Sequence, residues 1–448
     1  MRSQGEGNLR TANMHSRIPE ESSQAHASAL SWKFLLCIAA LTVIVRFTCM
    51  LLFQSWEFKH EWAFGHEMGA IGKWLALGEG FSLNGTSPTA KFPPLYPLLV
   101  GMFFHTFGVY TQSAAVGLFI FQSLCAAGVA VCLANLGNRL FGRTTGMIAG
   151  LIWVVYPTSI FYSVVRIWYC ELALLFLVLS VTIVLNAGNV VGYRRIALLG
   201  ALSGLTVLTD STLALYLPLL VVWMLIARSV QFHRLVVSCA IWGITVATVI
   251  SPWMIRNWLV VGSFQPLKSN FGLELFIGNS PFSSGRDNMA AAERTFAALD
   301  QKELSFYKSQ PEVVYYRYLR DKAIEWVREN PFDFLLLTAR RVWYFWVFNP
   351  SLGWESWVRL SYFGIFLVLA LYGVRHGIRH WRELAPLWLF LFVYPLPYYL
   401  THVARGRYSY PVEPFVLLLA AAPLAVWYTR KVRRSLATNP AFDAIGEI

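Results

Sequence analysis

Runs of about 20 apolar residues recur along this chain, and that is the length an α-helix needs to cross a bilayer. The first is Ser31 to Phe53. Others lie at 112–136, 145–163, 169–187, 196–208, 212–228 and 235–255, and after a long polar interval at 358–374, 384–400 and 411–428. The runs 196–208 and 212–228 are short and parted by Thr209-Asp210-Ser211, so they are expected as a hairpin that only just crosses. Composition agrees: the chain is 56% apolar and 14% charged, whereas soluble proteins carry about a quarter charged residues. Hydrocarbon offers the backbone no partners, so the expected class is an all-α polytopic membrane protein of about ten transmembrane helices.

Basic residues set the orientation. Arg139 and Arg143, Arg194 and Arg195, Arg228 and Arg234, then Arg375, Arg379 and Arg382, fall on alternate turns, as does the tail Arg430, Lys431, Arg433 and Arg434. One topology gathers them on the cytoplasmic face together with both termini. Residues 1–31 are then a disordered cytoplasmic tail, and 32–256 an N-terminal transmembrane catalytic module that includes a first external loop at 54–111. An external or interfacial helical segment follows at 257–357, then C-terminal transmembrane helices at 358–428 and a cytoplasmic tail at 429–448. Within the external segment, Pro311 to Asn330 has the punctuation of a helix, with Val314, Tyr318, Trp326 and Val327 lining one side. Phe332 to Trp346 is apolar but interrupted by Arg340 and Arg341, so it is expected along the membrane interface, completing a small external helical cap.

The net charge of +13 sits mostly in short loops, with no basic arm to track phosphates along a duplex, so nucleic acid is excluded as a partner. The six cysteines fall inside or at the ends of apolar runs and none forms a CxxC pair. That argues against a zinc cluster and a disulfide framework alike. No Gly-rich phosphate loop or dinucleotide fingerprint is present, so a soluble nucleotide-sugar donor is not expected.

The chemistry is expected in Trp56 to Pro97, the first polar stretch after the first span, which holds Glu57, Glu61 and Glu67 and ends in Pro-Pro-Leu-Tyr-Pro. Phe64 to Gly78 reads as a short amphipathic helix, with Met68, Ile71, Trp74 and Leu75 at helical spacing. Glu67 borders that stripe, where a carboxylate near the interface gains proton affinity and can serve as a general base. Arginines break the expected charge pattern: Arg46 lies inside the first span, and Arg166, Arg256, Arg405 and Arg407 lie at external ends of spans. External arginines near external carboxylates suit an anionic ligand from the outer leaflet, such as a lipid phosphate held bidentately, with snorkelling to head groups as the alternative for any one of them.

Three stretches carry a resemblance. FGHEMGAIGKWLALGEGFS…SPTAKFPPLYPLL is similar to the first external loop of membrane glycosyltransferases with the C-type fold, in particular the family-39-like bacterial group related to protein O-mannosyltransferases and to aminoarabinose transferases. SPWMIRNWLVVGSFQPLKSNFGLELFIGN (251–279) resembles that group's PW-x-RN segment, and RGRYSYPVEP (405–414) its RYR-x-P-x-EP approach to the last span. The resemblance implies a polyprenyl-phosphate-linked sugar as donor and an acceptor hydroxyl or amine, on an unidentified glycan, lipid or protein, attacking the anomeric carbon. It also implies a bacterial inner membrane. The group's first-loop catalytic acid maps onto Glu67, with Glu61 as the alternative, because relatives carry Asp or Asp-Glu where this chain has His66-Glu67. Glu171 is the candidate second acidic position, or else a buried carboxylate paired with Arg166. Arg256, Arg405 and Arg407 are candidates for the leaving phosphate, with Tyr408 and Asn257 as positioning groups. Arg46 is expected to pair with a first-loop carboxylate and fix the loop, and Lys91 either meets phosphate or is simply exposed. No cofactor is required. Some C-type enzymes use a divalent cation, but the first loop has no Asp-x-Asp, and His60, His66 and His105 lack zinc-ligand spacing.

Two rivals stand against an enzyme. A transporter or flippase of a lipid-linked sugar would place polar residues in the middle of several spans, and this chain is expected to keep its charges at one face. A non-catalytic assembly subunit would be indifferent to the loss of Glu67.

Overall fold

A computed structural model describes residues 29–57, 64–188, 191–286, 289–349, 353–377, 382–403 and 406–437. Glu61, His60 and Arg405, residues 1–28 of the expected N-terminal tail and residues 438–448 lie outside them. The described chain is helical, with two isolated β-bridges, Ser82 to Pro88 and Arg286 to Val403.

Helix α1 (Trp32–Phe53) starts at Ser31, whose hydroxyl accepts the Phe34 N–H. The polar stretch after it, expected as the first external loop, forms α2 (Glu67–Ala76) and α3 (Leu95–Phe107). The apolar α3 was not expected inside an external loop. Its 13 residues reach only about 20 Å at the helical rise, short of the roughly 30 Å hydrocarbon core. It packs on α2, where Gly72 and Gly101 let the helices touch: a Cβ on Gly72 would meet Val100 at 2.6 Å.

The central bundle contains α4 (Gln112–Phe141), α5 (Arg143–Val154), α6 (Pro157–Val164), α7 (Cys170–Leu185), α8 (Tyr193–Thr209), α9 (Tyr216–Ala227) and α10 (Phe232–Arg256). Helices α5 and α6 share the expected run 145–163 but are bent by 48° at Pro157, which cannot donate to the ladder. Between α8 and α9 the expected break at Asp210 is a 3₁₀ turn, Ser211–Leu215, capped by the Asp210 carboxylate. The segment expected to be external follows as α11 (Phe271–Gly278), α12 (Met289–Ala297), α13 (Gln301–Lys308), α14 (Glu312–Glu329) and α15 (Pro331–Trp346). Pro311 and Asn330 bound α14 as its punctuation predicts. Its buried face is Val313, Tyr316, Leu319 and Ala323 with Tyr318, one residue out of phase with the face expected, because Leu273, Phe276 and Tyr307 receive it from α11 and α13. The chain closes with α16 (Trp354–Gly377), α17 (Ala385–Val393), α18 (Leu396–Leu400) and α19 (Glu413–Ala437). Helix α19 carries straight through Arg430 and Lys431 into what was expected to be tail.

Among the described residues five helices are long and apolar enough to cross a membrane: Trp32–Phe53, Gln112–Phe141, Phe232–Val261, Ser356–Val374 and Tyr410–Val432. Their outer faces expose Ile44, Phe47 and Leu52, Ile244 and Ile255, and Ile365, Val368 and Leu371. Water does not tolerate apolar surface on that scale and lipid does. The protein is an integral membrane protein. At one end of the bundle Arg228 donates to the carbonyls of Val184, Leu185 and Ala187 at the end of α7, within electrostatic reach of Arg139 and Arg195.

Charges do not keep to one face. Arg46 and Glu171 are fully buried, and Arg359 of α16 and Glu413 of α19, also buried, meet at 3.1 Å. Hydrogen bonds explain how the first pair is tolerated. The five guanidinium N–H groups of Arg46 go to Thr42 O, Trp153 O, Val154 O, Ser159 Oγ and Ser163 Oγ. The same two serines and Tyr410 donate to Glu171 Oε1 at 2.9, 3.1 and 2.6 Å. Among the described residues Arg46 therefore bonds α1, α5 and α6 rather than the first loop, and Glu171 bonds α6 and the start of the last span rather than Arg166.

Candidate functional site

Two segments distant in sequence meet outside the bundle, and Trp168 lies between them. Its position is set by Gln122, buried in α4, whose amide donates to the carbonyls of Tyr162, Ser163 and Arg166 and whose oxygen accepts the Trp168 backbone N–H at 3.0 Å. The chain leaving α6 is thus pinned, and the indole stands beside it. Gly65 packs directly on that indole with φ of +70°; a Cβ there would lie 2.6 Å from the ring and 2.5 Å from the Ile167 carbonyl. Only glycine suits both the backbone conformation and the space. The contact fixes the start of α2, whose first residue is Glu67.

From the other side comes the turn 406–409, closed by the Tyr410 N–H on Gly406 O. Arg407 stacks on Trp168, its Cζ 4.7 Å from the ring centroid, and on Tyr408 at 5.1 Å. Glu67 contributes to the field at Arg407. Tyr408 in turn stacks on Tyr398 at 4.5 Å, and the Tyr398 hydroxyl donates to Thr212 Oγ1, which donates to Asp210 Oδ1 at 2.6 Å. Glu67 thus lies within electrostatic range of Arg407, although the two come from opposite ends of the sequence.

This cluster is short of acceptors. Arg407 Nε and Trp168 Nε1 are both buried N–H donors with no hydrogen-bond partner among the described residues. A buried donor left unmade costs about 1–3 kcal/mol, and these two belong to residues stacked on each other, where one oxygen-bearing ligand could serve both. A guanidinium and an indole N–H, neither able to accept, select an anion. Glu67, partly exposed at the edge, is the group that can take a proton.

Arg256 and Asn257 do different work. Arg256 donates to Thr89 O at 2.6 Å, Phe81 O at 3.0 Å and Asn257 Oδ1 at 3.1 Å, and lies over the rings of Phe81 and Trp253. Asn257 donates to Gln265 O. Both therefore hold the 81–90 hairpin to the end of α10, and no contact brings them to Arg407. Glu312, at the start of α14, latches the same hairpin. It accepts from Thr89 Oγ1 and Ser269 Oγ at 2.5 Å and from the Ala90 N–H at 3.1 Å. Lys91 lies over Phe92. A cavity of about 300 Å³ opens beside this hairpin, lined by Glu79, Phe81, Ser82, Thr86 and Arg256.

Below the site the backbone 399–403 is clamped. Arg341, buried in α15, donates to Tyr399 O at 3.0 Å and to Asn279 Oδ1 and Gly278 O. Its partners are neutral, so burial pushes its guanidinium down to about 10. Asn279 donates to Leu400 O, and the Val403 N–H to Gly285 O. The clamp presents His402, whose Nδ1 lies 3.5 Å from Glu274 Oε2 and whose ring faces Tyr408. Among the described residues no three His, Cys, Asp or Glu side chains gather as a metal site.

Sequence reasoning passed over Gln122, Trp168, Asp210, Glu274, Glu312 and His402. Asp210 and Glu274 were quoted only as parts of a turn and of a motif, and the others had no pattern of their own to mark them. No protein-family model matches the chain, and no curated protein matches it.

Proposed function

We propose that the protein is a membrane glycosyltransferase that moves a sugar from a polyprenyl-phosphate donor to an acceptor at the outer face of a bacterial inner membrane. The observation that carries this reading is the pair of unpaired buried donors, Arg407 Nε and Trp168 Nε1, beside a carboxylate, Glu67, at the start of an external helix. Two donors with nothing to accept fit the phosphate of a lipid-linked sugar, and their hydrogen bonds strengthen as charge builds on the leaving oxygen. Glu67 takes the proton of the attacking hydroxyl or amine. Arg405 and Glu61 keep their expected parts, as second phosphate ligand and alternative base. The resemblance of the three quoted stretches to C-type enzymes points the same way.

The architecture in this proposal has ten spans. The bent pair α5–α6 and the shorter helices α7, α8, α9 and α17–α18 complete the five long ones, and the termini and the Arg139, Arg195 and Arg228 cluster are cytoplasmic.

The buried charges Arg46, Glu171, Arg359 and Glu413 are what a transporter of the same lipid would show, so that reading is kept as the rival. The test uses purified protein in detergent with radiolabelled polyprenyl-phosphate mannose, glucose, galactose and aminoarabinose. Turnover is expected, with Glu67→Gln slowed about 10²–10⁴-fold and Arg407→Gln losing donor affinity. No consumption of any donor by wild type, together with donor movement across proteoliposomes, would replace the enzyme by the transporter.

A further inference from the structure

The buried His402–Glu274 pair has no part in the scheme above. His402 is 5% exposed, and its Nδ1 faces Glu274 Oε2 at 3.5 Å without a closed hydrogen bond. The other oxygen of Glu274 is held by Asn270 Nδ2 at 2.6 Å. The imidazole lies 6.0 Å from the ring of Tyr408, which in turn lies 5.1 Å from the Arg407 guanidinium.

The surrounding investment is unusual for a loop. A buried arginine, a buried asparagine and a glycine are spent on the backbone either side of His402: Arg341 and Asn279 bind the Tyr399 and Leu400 carbonyls, and Gly278 abuts Thr401, where a Cβ would sit 1.8 Å from its carbonyl oxygen. Fixing a group at this expense is what preorganised chemistry requires. With Nδ1 3.5 Å from a carboxylate oxygen, Nε2, across the ring, is the nitrogen left for a ligand.

We infer that His402, oriented by Glu274, is the general acid that protonates the departing lipid phosphate. This rests on the glycosyltransferase reading. In the step, the acceptor oxygen or nitrogen bonds to the anomeric carbon and gives its proton to Glu67. The bond from that carbon to the phosphate oxygen breaks, and its electron pair stays on the phosphate. His402 Nε2 gives its proton to that phosphate, so the polyprenyl phosphate leaves as a monoanion instead of a dianion. After release, Glu67 loses a proton to water and His402 regains one. Glu274 is a positioning residue in this scheme.

The experiment compares wild type, His402→Gln, Glu274→Gln and Glu67→Gln on two donors, a polyprenyl-phosphate sugar from the panel above and its phosphorothioate analogue, whose leaving group is less basic. His402→Gln keeps a hydrogen-bond donor but has no proton to transfer. It is expected to lose about 10²–10⁴-fold in kcat on the phosphate donor with KM little changed, and far less on the phosphorothioate. Glu274→Gln shows a smaller loss with the same donor dependence, and Glu67→Gln loses equally on both. His402→Gln with wild-type kcat, or with equal losses on both donors, overturns the inference and leaves the function standing. If wild type consumes neither donor, the function itself falls and this inference with it. Should His402→Gln fail to fold, Glu274→Gln carries the same donor comparison.

Discussion

The Arg46–Glu171 network makes a quantitative prediction about stability. Removing the guanidinium in Arg46→Leu leaves Glu171 buried with three hydroxyl donors on one oxygen, none on the other and no compensating charge nearby. The two charges are not in direct contact but share Ser159 and Ser163 and feel each other's field, and leaving a buried charge uncompensated costs up to about 3–5 kcal/mol. The charge-assisted hydrogen bonds lost with the guanidinium add to that cost. In Glu171→Gln the arginine keeps all five of its acceptors, so that variant is expected to lose only about 1–3 kcal/mol. The double variant removes both charges and should be no less stable than Arg46→Leu alone, a coupling energy of about 1–3 kcal/mol. Equilibrium unfolding in mixed micelles, followed by tryptophan fluorescence, measures all three. Single losses that add to within about 0.5 kcal/mol in the double variant would refute the claim that the two charges act as a unit.

Other consequences follow from single contacts. Glu312→Ala removes the acceptor shared by Thr89, Ser269 and Ala90, so limited proteolysis should cut the 81–90 hairpin faster, and the fold should weaken by about 1–3 kcal/mol. Trp168→Leu abolishes the stack under Arg407 and one of the two orphan donors; donor KM should rise roughly 3–30-fold, the equivalent of about 0.5–2 kcal/mol. Gly373→Ala places a Cβ 2.2 Å from the Leu419 carbonyl where α16 crosses α19, and thermal unfolding should show a loss of about 1–3 kcal/mol.

Much of the architecture was legible because membrane helices announce themselves by length and apolarity. The runs at 31–53, 112–136, 235–255, 358–374 and 411–428 each coincide with a long helix. What the runs could not reveal is where a helix bends or stops short. Pro157 divides one run into α5 and α6, while α3 is as apolar as a span but has only 13 residues. The phase of α14 was also misjudged, since a helix rich in Tyr, Trp and Val on several sides leaves its buried face to be chosen by Phe276 and Tyr307.

The arginines show why a site is harder to read than a fold. Arg46, Arg256 and Arg407 all break the charge pattern of a membrane chain, and each by itself suits an anion. Their uses diverge because of backbone carbonyls that no sequence pattern displays. Arg256 is filled by the carbonyls of Phe81 and Thr89, and Arg46 by three carbonyls and two serine hydroxyls. A guanidinium saturated in this way braces irregular backbone where water cannot reach. It has little left to give a substrate. Arg407 differs in that its neighbours are mostly rings: Trp168 and Tyr408 offer π-faces and one hydroxyl in place of carbonyl oxygens, so a donor remains unspent. Aromatic stacking confines and desolvates the cation without satisfying its N–H groups, which is the condition a transient anion needs. The discriminating feature is therefore what surrounds the charge, and for Arg407 that is the indole set by Gln122 in α4 together with Tyr408.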